Sequence, residues 1–212
     1  MSLLQPLTWS LSAAETEFNA FKAWLATQTF LGETQIVDEI KTRPHMCGLL
    51  AATTGFSAPN QIKFELILKG LFRTDLVIGN SDTRQFALIE FEDAREDSVF
   101  KANSSTKKTQ YRPWSPRLEH GFGQVLDWAW VRNDHPSDTV LTSAFGGPIT
   151  ASAYLVIIGR DDSLQDDMER RRFRHRTDAV RIEGVPTQVF TYDGMVKAME
   201  ANLINAKSWN GG

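Results

Sequence analysis

The chain has 212 residues, a formal net charge of −3 and 42% hydrophobic residues, which is the profile of an ordinary globular domain able to bury a sizeable core. No apolar run approaches the roughly 18 residues that a membrane span requires, and the start, Met1-Ser-Leu-Leu-Gln-Pro6, has neither the basic residues nor the cleavage site of a signal peptide. Cys47 is the single cysteine, which excludes an intramolecular disulfide and favours a cytoplasmic setting with no membrane association.

The first predicted helix opens at a Ser-x-x-Glu capping box, Ser12 and Glu15, and carries Phe18, Phe21 and Leu25 at helical spacing. A second helix is predicted over Glu33 to Lys41, stopped by Pro44, and a short third over His45 to Ala52, before Gly55 and Pro59. Residues 1–60 thus form an N-terminal helical segment packed on a core of residues 61–212. From Gln61 the period changes to two, with Ile62, Phe64, Leu66 and Leu68 on one face of a strand that Gly70 breaks. Phe72 to Ile78 is a second strand, Gly79-Asn-Ser-Asp82 a turn, and Phe86 to Glu92 a third strand, so that the three make an antiparallel meander. Glu96 to Trp114 is polar and irregular and reads as a loop.

Ser115 and Pro116 are the N-cap and first residue of the next helix, whose apolar stripe is Leu118, Phe122, Val125, Leu126 and Ala129. After a loop or short helix over Asn133 to Pro148, Ala153 to Gly159 is a strand buried on both faces. A basic helix from Leu164 to Arg176, a short strand from Gln188 to Thr191 and a last helix from Asp193 to Ala206 complete the order. The fold class is α/β, with a mixed sheet flanked by helices.

Two glutamates close the third strand of the meander, Phe86-Ala-Leu-Ile-Glu90-Phe-Glu92. Side chains at i and i+2 of a strand share a face, so Glu90 and Glu92 point together while Phe91 faces away. Burying ionised carboxylates is costly unless a cation compensates. With Asp75 on the preceding strand, the three acids make a hard, oxygen-rich site suited to Mg²⁺ or Mn²⁺. For Glu92 the plain alternative is a salt bridge to Arg73 or Arg95. His120 and Gln124 fall four apart on the following helix and share one face.

Two basic clusters stand out against the slight negative charge. Lys101, Lys107, Lys108, Arg112 and Arg117 have no acid between them, and Arg170-Arg-Arg-Phe-Arg-His-Arg176 is the second. Each is a candidate phosphate surface or a solvated face. Trp114, Trp128 and Trp130 are candidates for base stacking or for packing. Zinc-ligand spacing, a phosphate loop, a dinucleotide loop and Gly-x-Ser-x-Gly are all missing from the sequence.

An acid in the second strand, Glu-x-Glu in the third, then a helix and a buried strand resemble the PD-(D/E)XK nuclease superfamily. Within it, Ile89-Glu-Phe-Glu-Asp-Ala94, Trp114-Ser-Pro-Arg-Leu-Glu-His-Gly-Phe-Gly-Gln-Val-Leu-Asp-Trp128, Leu155-Val-Ile-Ile-Gly-Arg160 and Thr191-Tyr-Asp193 look like the nuclease domain of Shedu antiphage proteins, a resemblance over residues 61–206. It implies a restriction-endonuclease-like fold, Mg²⁺- or Mn²⁺-dependent hydrolysis of DNA phosphodiesters in antiphage defence, and assembly into a homo-oligomer. Asp75 takes the position of the metal-binding Asp and Glu90 that of the second ligand, while Gln124 matches a glutamine that lies near the site in several branches. Glu92 stands where the superfamily usually has a catalytic lysine, and so becomes a third metal ligand or a general base. Lys101, Lys107 or Lys108 then supplies the missing positive charge, and these three with Arg112, Arg117 and His120 form the DNA-binding set. A catalytically silent nuclease fold used for DNA binding or sensing is the alternative that Glu92 motivates.

Overall fold

The computed structural model describes residues 4–56, 58–102, 111–182 and 184–210. Strand β1, Gln5–Pro6, is followed by α1 (Leu11–Ala26), α2 (Glu33–Lys41) and α3 (Pro44–Ala51), the last running into a 3₁₀ turn at Ala52–Thr54. Next come β2 (Gln61–Phe64), the short pair β3 (Ile67–Leu68) and β4 (Phe72–Arg73), then β5 (Leu76–Asn80) and β6 (Gln85–Phe91). Helices α4 (Pro116–Asp134) and α5 (Thr139–Ala144) lead to β7 (Ala151–Ile157), and a 3₁₀ turn, Asp161–Ser163, precedes α6 (Asp167–Ala179). Strands β8 (Arg181–Ile182) and β9 (Val185–Phe190) and helix α7 (Tyr192–Asn210) end the chain. Among the described residues no helix is long and apolar enough to cross a membrane.

Seven strands form one mixed sheet in the order β1-β2-β5-β6-β7-β9-β8. Pairing is antiparallel from β1 to β6, parallel for β6 with β7 and β7 with β9, and antiparallel again at β8. The period of two decides which side each residue serves. Ala87, Ile89 and Phe91 of β6 join the apolar cluster under α1, α3 and α7, while Phe86 and Leu88 join the cluster under α4. Glu90 follows Leu88 on that second face.

The second helix occupies the residues predicted for it, and Ser115 caps α4 by accepting from the Leu118 N–H at 3.0 Å. Other expectations shift. Ser10, not Ser12, caps α1, accepting from Ala13 N–H. The long alternating strand stops at Phe64, because Glu65 takes φ +53° and turns the chain into the β3–β4 hairpin. The strand predicted over Phe72 to Ile78 is likewise interrupted at Thr74 and Asp75, whose backbone bonds go to the turn instead (Thr74 N–H to Leu66 O and Glu65 N–H to Asp75 O, both 3.0 Å). Gly79 belongs to β5 and not to the turn, pairing with Phe86, and glycine fits there because a Cβ would lie 2.1 Å from the Gln85 carbonyl oxygen. Leu126 is exposed, and Trp128 and Val131 take its place in the core.

At the two ends of the stretch from Glu96 to Trp114 the described residues are more ordered than their polarity suggested. Val99 and Phe100 are fully buried, and residues 99–101 pair with 113–115: Lys101 N–H donates to Pro113 O at 2.9 Å and Ser115 N–H to Val99 O at 3.0 Å.

Candidate metal centre

The acids sit at the carboxyl end of β6, where it runs parallel to β7, the usual place for a site in an open α/β sheet. Glu90 is 3% exposed, Glu92 4% and Asp75 8%. Each is fixed by a different element. Asp75, at the interruption before β5, accepts the Phe91 N–H through Oδ2 at 2.8 Å, a donor that the β5–β6 ladder no longer uses. The Glu92 backbone is held on both sides, its N–H donating to Ile157 O at 2.8 Å and its carbonyl accepting from the buried Tyr192 hydroxyl at 2.7 Å. Helix α4 lays His120 and Gln124 over the carboxylates: His120 Nδ1 is 2.9 Å from Glu92 Oε1, and Gln124 Nε2 donates to Glu90 Oε1 at 3.3 Å. The close approach of α4 depends on Gly121, where a Cβ would stand 2.9 Å from Val156 Cγ1 and 3.3 Å from Glu92 Cγ.

Nothing among the described residues satisfies Glu90 Oε2, which is buried without a hydrogen bond. Burial, followed by the charges of Asp75 and Glu92, pushes the Glu90 carboxyl up to about 10. Burial raises Glu92 to about 7 against the opposing pull of His120, and raises Asp75 to about 6 against the Phe91 N–H. Three acids crowded into low dielectric, one of them with an orphan oxygen, describe a place built for positive charge. Ligand atoms of Glu90, Glu92 and His120 all lie within 4.8 Å of one another, close enough to hold one ion. The donor set, mostly carboxylate oxygen, fits a hard divalent cation.

Five expected site residues, Asp75, Glu90, Glu92, His120 and Gln124, therefore meet in one place. The plain salt-bridge reading of Glu92 does not hold, because Arg73 pairs with Glu65 and Arg95 with Asp93. Arg117 lies at the mouth, pairing with Asp93 at 2.7 Å and Asp97 at 3.3 Å. Lys101 is exposed beside it in a shallow pocket. Arg112 departs from the DNA-binding set. It is 3% exposed, its guanidinium pairs with Glu169 and donates to Ser163 O at 2.7 Å, and a cation so enclosed does not meet a phosphate. Lys107 and Lys108 lie outside the described residues. Of the tryptophans, Trp128 is core, Trp114 stacks on Phe100 at 4.5 Å, and Trp130 is half exposed against Phe72.

One residue escaped the sequence reading. Glu33, the exposed first residue of α2, shares an open cleft of about 740 Å³ with Glu92, Asp93, Arg95, Arg117 and His120. Its charge adds to the upward pressure on all three buried carboxyls. An acid opening a helix is common and stabilises that end by itself, so only the packing of α2 against the sheet reveals its second role.

A family profile described as Shedu protein SduA, C-terminal, matches residues 30–196. The chain belongs to the Shedu family. The match reaches back into the segment assigned above to the N-terminal helices, taking in α2 and α3, so it spans the whole mouth of the centre including Glu33. Membership of the Shedu family suggests a part in antiphage defence. A comparison with curated proteins finds no match.

Proposed function

We propose that this Shedu protein is an endonuclease, dependent on Mg²⁺ or Mn²⁺, that hydrolyses DNA phosphodiester bonds in antiphage defence. One observation carries the reading: Asp75, Glu90 and Glu92 are buried together at a strand end, with Glu90 Oε2 lacking any partner. Asp75, Glu90 and Glu92 would hold the ion, which when bound supplies Lewis acidity toward a phosphodiester and makes water a competent nucleophile near neutral pH.

The protein's own groups have separable tasks. The Phe91 N–H and the Gln124 amide orient Asp75 and Glu90, the two carboxylates that would flank the ion. Glu92, raised to about 7, is poised to hold or release a proton at neutral pH. His120 touches Glu92 through Nδ1 while its side chain stays 61% exposed, which lets it pass that proton to solvent or meet a phosphate oxygen. Arg95 and Arg117, paired with Asp93 at the rim of the cleft, are cations placed to meet a phosphate in place of the lysine that position 92 lacks.

The silent-fold alternative predicts a different outcome in one assay. Supercoiled plasmid and linear DNA should be cut in Mg²⁺ or Mn²⁺ and spared in EDTA, and Glu90→Ala should stop cleavage while the protein stays folded. Wild-type-like cutting by folded Glu90→Ala protein would sink the assignment. A wild-type protein that binds DNA but cuts with neither ion would favour the silent fold.

A further inference from the structure

The arginines of α6 break a local rule of helix design. Arg170 with Arg174 and Arg172 with Arg176 place like charges four residues apart, which weakens a helix unless something compensates. Arg170 pairs with Asp167 and Arg176 with Glu119. Among the described residues Arg171, Arg174 and His175, all exposed, have no ion pair or hydrogen bond.

Beside them lies an open pocket of about 500 Å³, lined by Trp114, Arg172, His175, Arg176, Ala179 and Val180, with no acid in its wall. Aromatic rings lock its two arginines in place. The Arg172 guanidinium is 4.8 Å from the Phe100 ring, 4.9 Å from Trp114 and 5.8 Å from Tyr111. That of Arg176 is 4.9 Å from Trp114 and 4.5 Å from Phe122. Guanidiniums held flat in this way keep their donors aimed and offer faces on which bases stack. Tyr111, half exposed, adds an open aromatic surface.

The pocket also has a meaningful address. Glu119, which Arg176 grips, immediately precedes His120 on α4, so the pocket and the acidic centre lie on adjacent faces of one helical turn. A recess with cations and ring edges fits an unpaired nucleotide. A duplex, whose bases are already stacked, offers only its backbone there.

We propose that this pocket is a subsite for single-stranded nucleic acid, with phosphates on Arg172 and His175 and a base against the Trp114 edge. The inference rests on the nuclease reading and adds to it the path of the strand beside the acidic centre.

Fluorescence anisotropy of a labelled oligothymidylate, in EDTA so that nothing is cut, tests it. The wild-type chain should bind, and His175→Glu/Ala179→Glu, at two exposed positions in the pocket wall, should weaken binding by about tenfold or more and flatten its salt dependence by about one to two units. Lys22→Ala/Lys207→Ala, an equal change of charge on α1 and α7 across the sheet, should leave binding unchanged, as should Glu90→Ala. A blunt duplex of the same length should bind more weakly than the single strand. Unchanged binding by the α6 variant, an equal loss in the α1/α7 control, or tighter duplex binding would each overturn the proposal. The two readings fail separately: cleavage lost in Glu90→Ala but normal oligothymidylate binding by the α6 variant removes the subsite alone. Oligothymidylate binding as described, with no cleavage in any divalent ion, removes the nuclease and leaves the subsite standing.

Discussion

At the scale of single residues the centre is defined by protons as much as by geometry. Without metal, folded Glu90 keeps a proton that the unfolded chain gives up near its ordinary value of 4.5, because burial raises its folded value to about 10. A raised carboxyl favours the folded state at low pH, and that advantage is lost as pH climbs from the unfolded value toward the folded one. Asp75 and Glu92 act in the same direction, over windows that close near 6 and 7. In EDTA the melting temperature should therefore fall between about pH 5 and about pH 9, and Glu90→Gln should flatten the fall, each kcal/mol being worth about 2–4 °C in a chain of this size. A melting temperature that rises with pH in EDTA would contradict this. Glu92→Lys installs the lysine that the proposed nuclease reading would place there, and asks what Glu92 does. Its Oε1 lies in the ligand cluster beside His120, so an ammonium there faces the ion across a few ångströms. At 4 Å and an effective dielectric of about 20, repulsion from a divalent ion is of order 8 kcal/mol before screening, and Mn²⁺ binding followed by calorimetry should collapse. A Glu92→Lys protein that binds Mn²⁺ normally would return Glu92 to a bystander.

At the scale of elements, α4 and β6 form the working unit, and Gly121 sets the distance between them. In Gly121→Ala the new methyl would press on Val156 Cγ1 at 2.9 Å and on Glu92 Cγ at 3.3 Å, neither at the end of a long flexible chain. The expected result is a loss of about 1–3 kcal/mol in urea unfolding, with weaker metal binding because His120 and Gln124 lift from the carboxylates. Unchanged metal affinity in Gly121→Ala would mean that α4 does not tune the centre. The elements that sequence reading found were those whose signals are local. Ser115 and Pro116 announced α4, Glu33 to Lys41 carried its own periodicity, and alternation put Glu90 and Glu92 on one face. What it missed depends on partners far along the chain. Glu65 could turn out of its strand because Asp75 and Arg73 receive it, β1 and β8 are two-residue edges that exist only by pairing, and Glu33 reaches the centre through the packing of α2. Arg112 was misread for the same reason. Its partner, Glu169, lies 57 residues away, and a basic run gives no hint that one member will be buried.

Across the whole molecule the sheet separates two apolar compartments, one under α1, α3 and α7 and one under α4 and α5. The Arg112–Glu169 pair ties α6 to the segment leading into α4, with both side chains under a tenth exposed. Removing one member of a buried pair strands the other, so Glu169→Ala should lower stability by about 3–5 kcal/mol, whereas Arg112→Met/Glu169→Met should recover most of it. Equal instability of the single and double variants in urea unfolding would show that the pair is not what holds α6. Homo-oligomer formation, which the family resemblance implies, is a separate proposal at this scale, and sedimentation of the intact chain decides it.

The paired stems at residues 99–101 and 113–115 have a practical consequence. Because the two arms hydrogen-bond to each other, and Ser115 both caps α4 and donates to Ser98 O, the start of α4 is anchored directly to residues 98–101. Opening the chain between the two arms at an engineered protease site should then leave two fragments that migrate as one particle until denatured, with the candidate metal centre intact, since β6 lies on one fragment and α4 on the other. By the same bonds, a tag or a new recognition segment inserted between the arms should leave Glu90, Glu92, His120 and Gln124 in register.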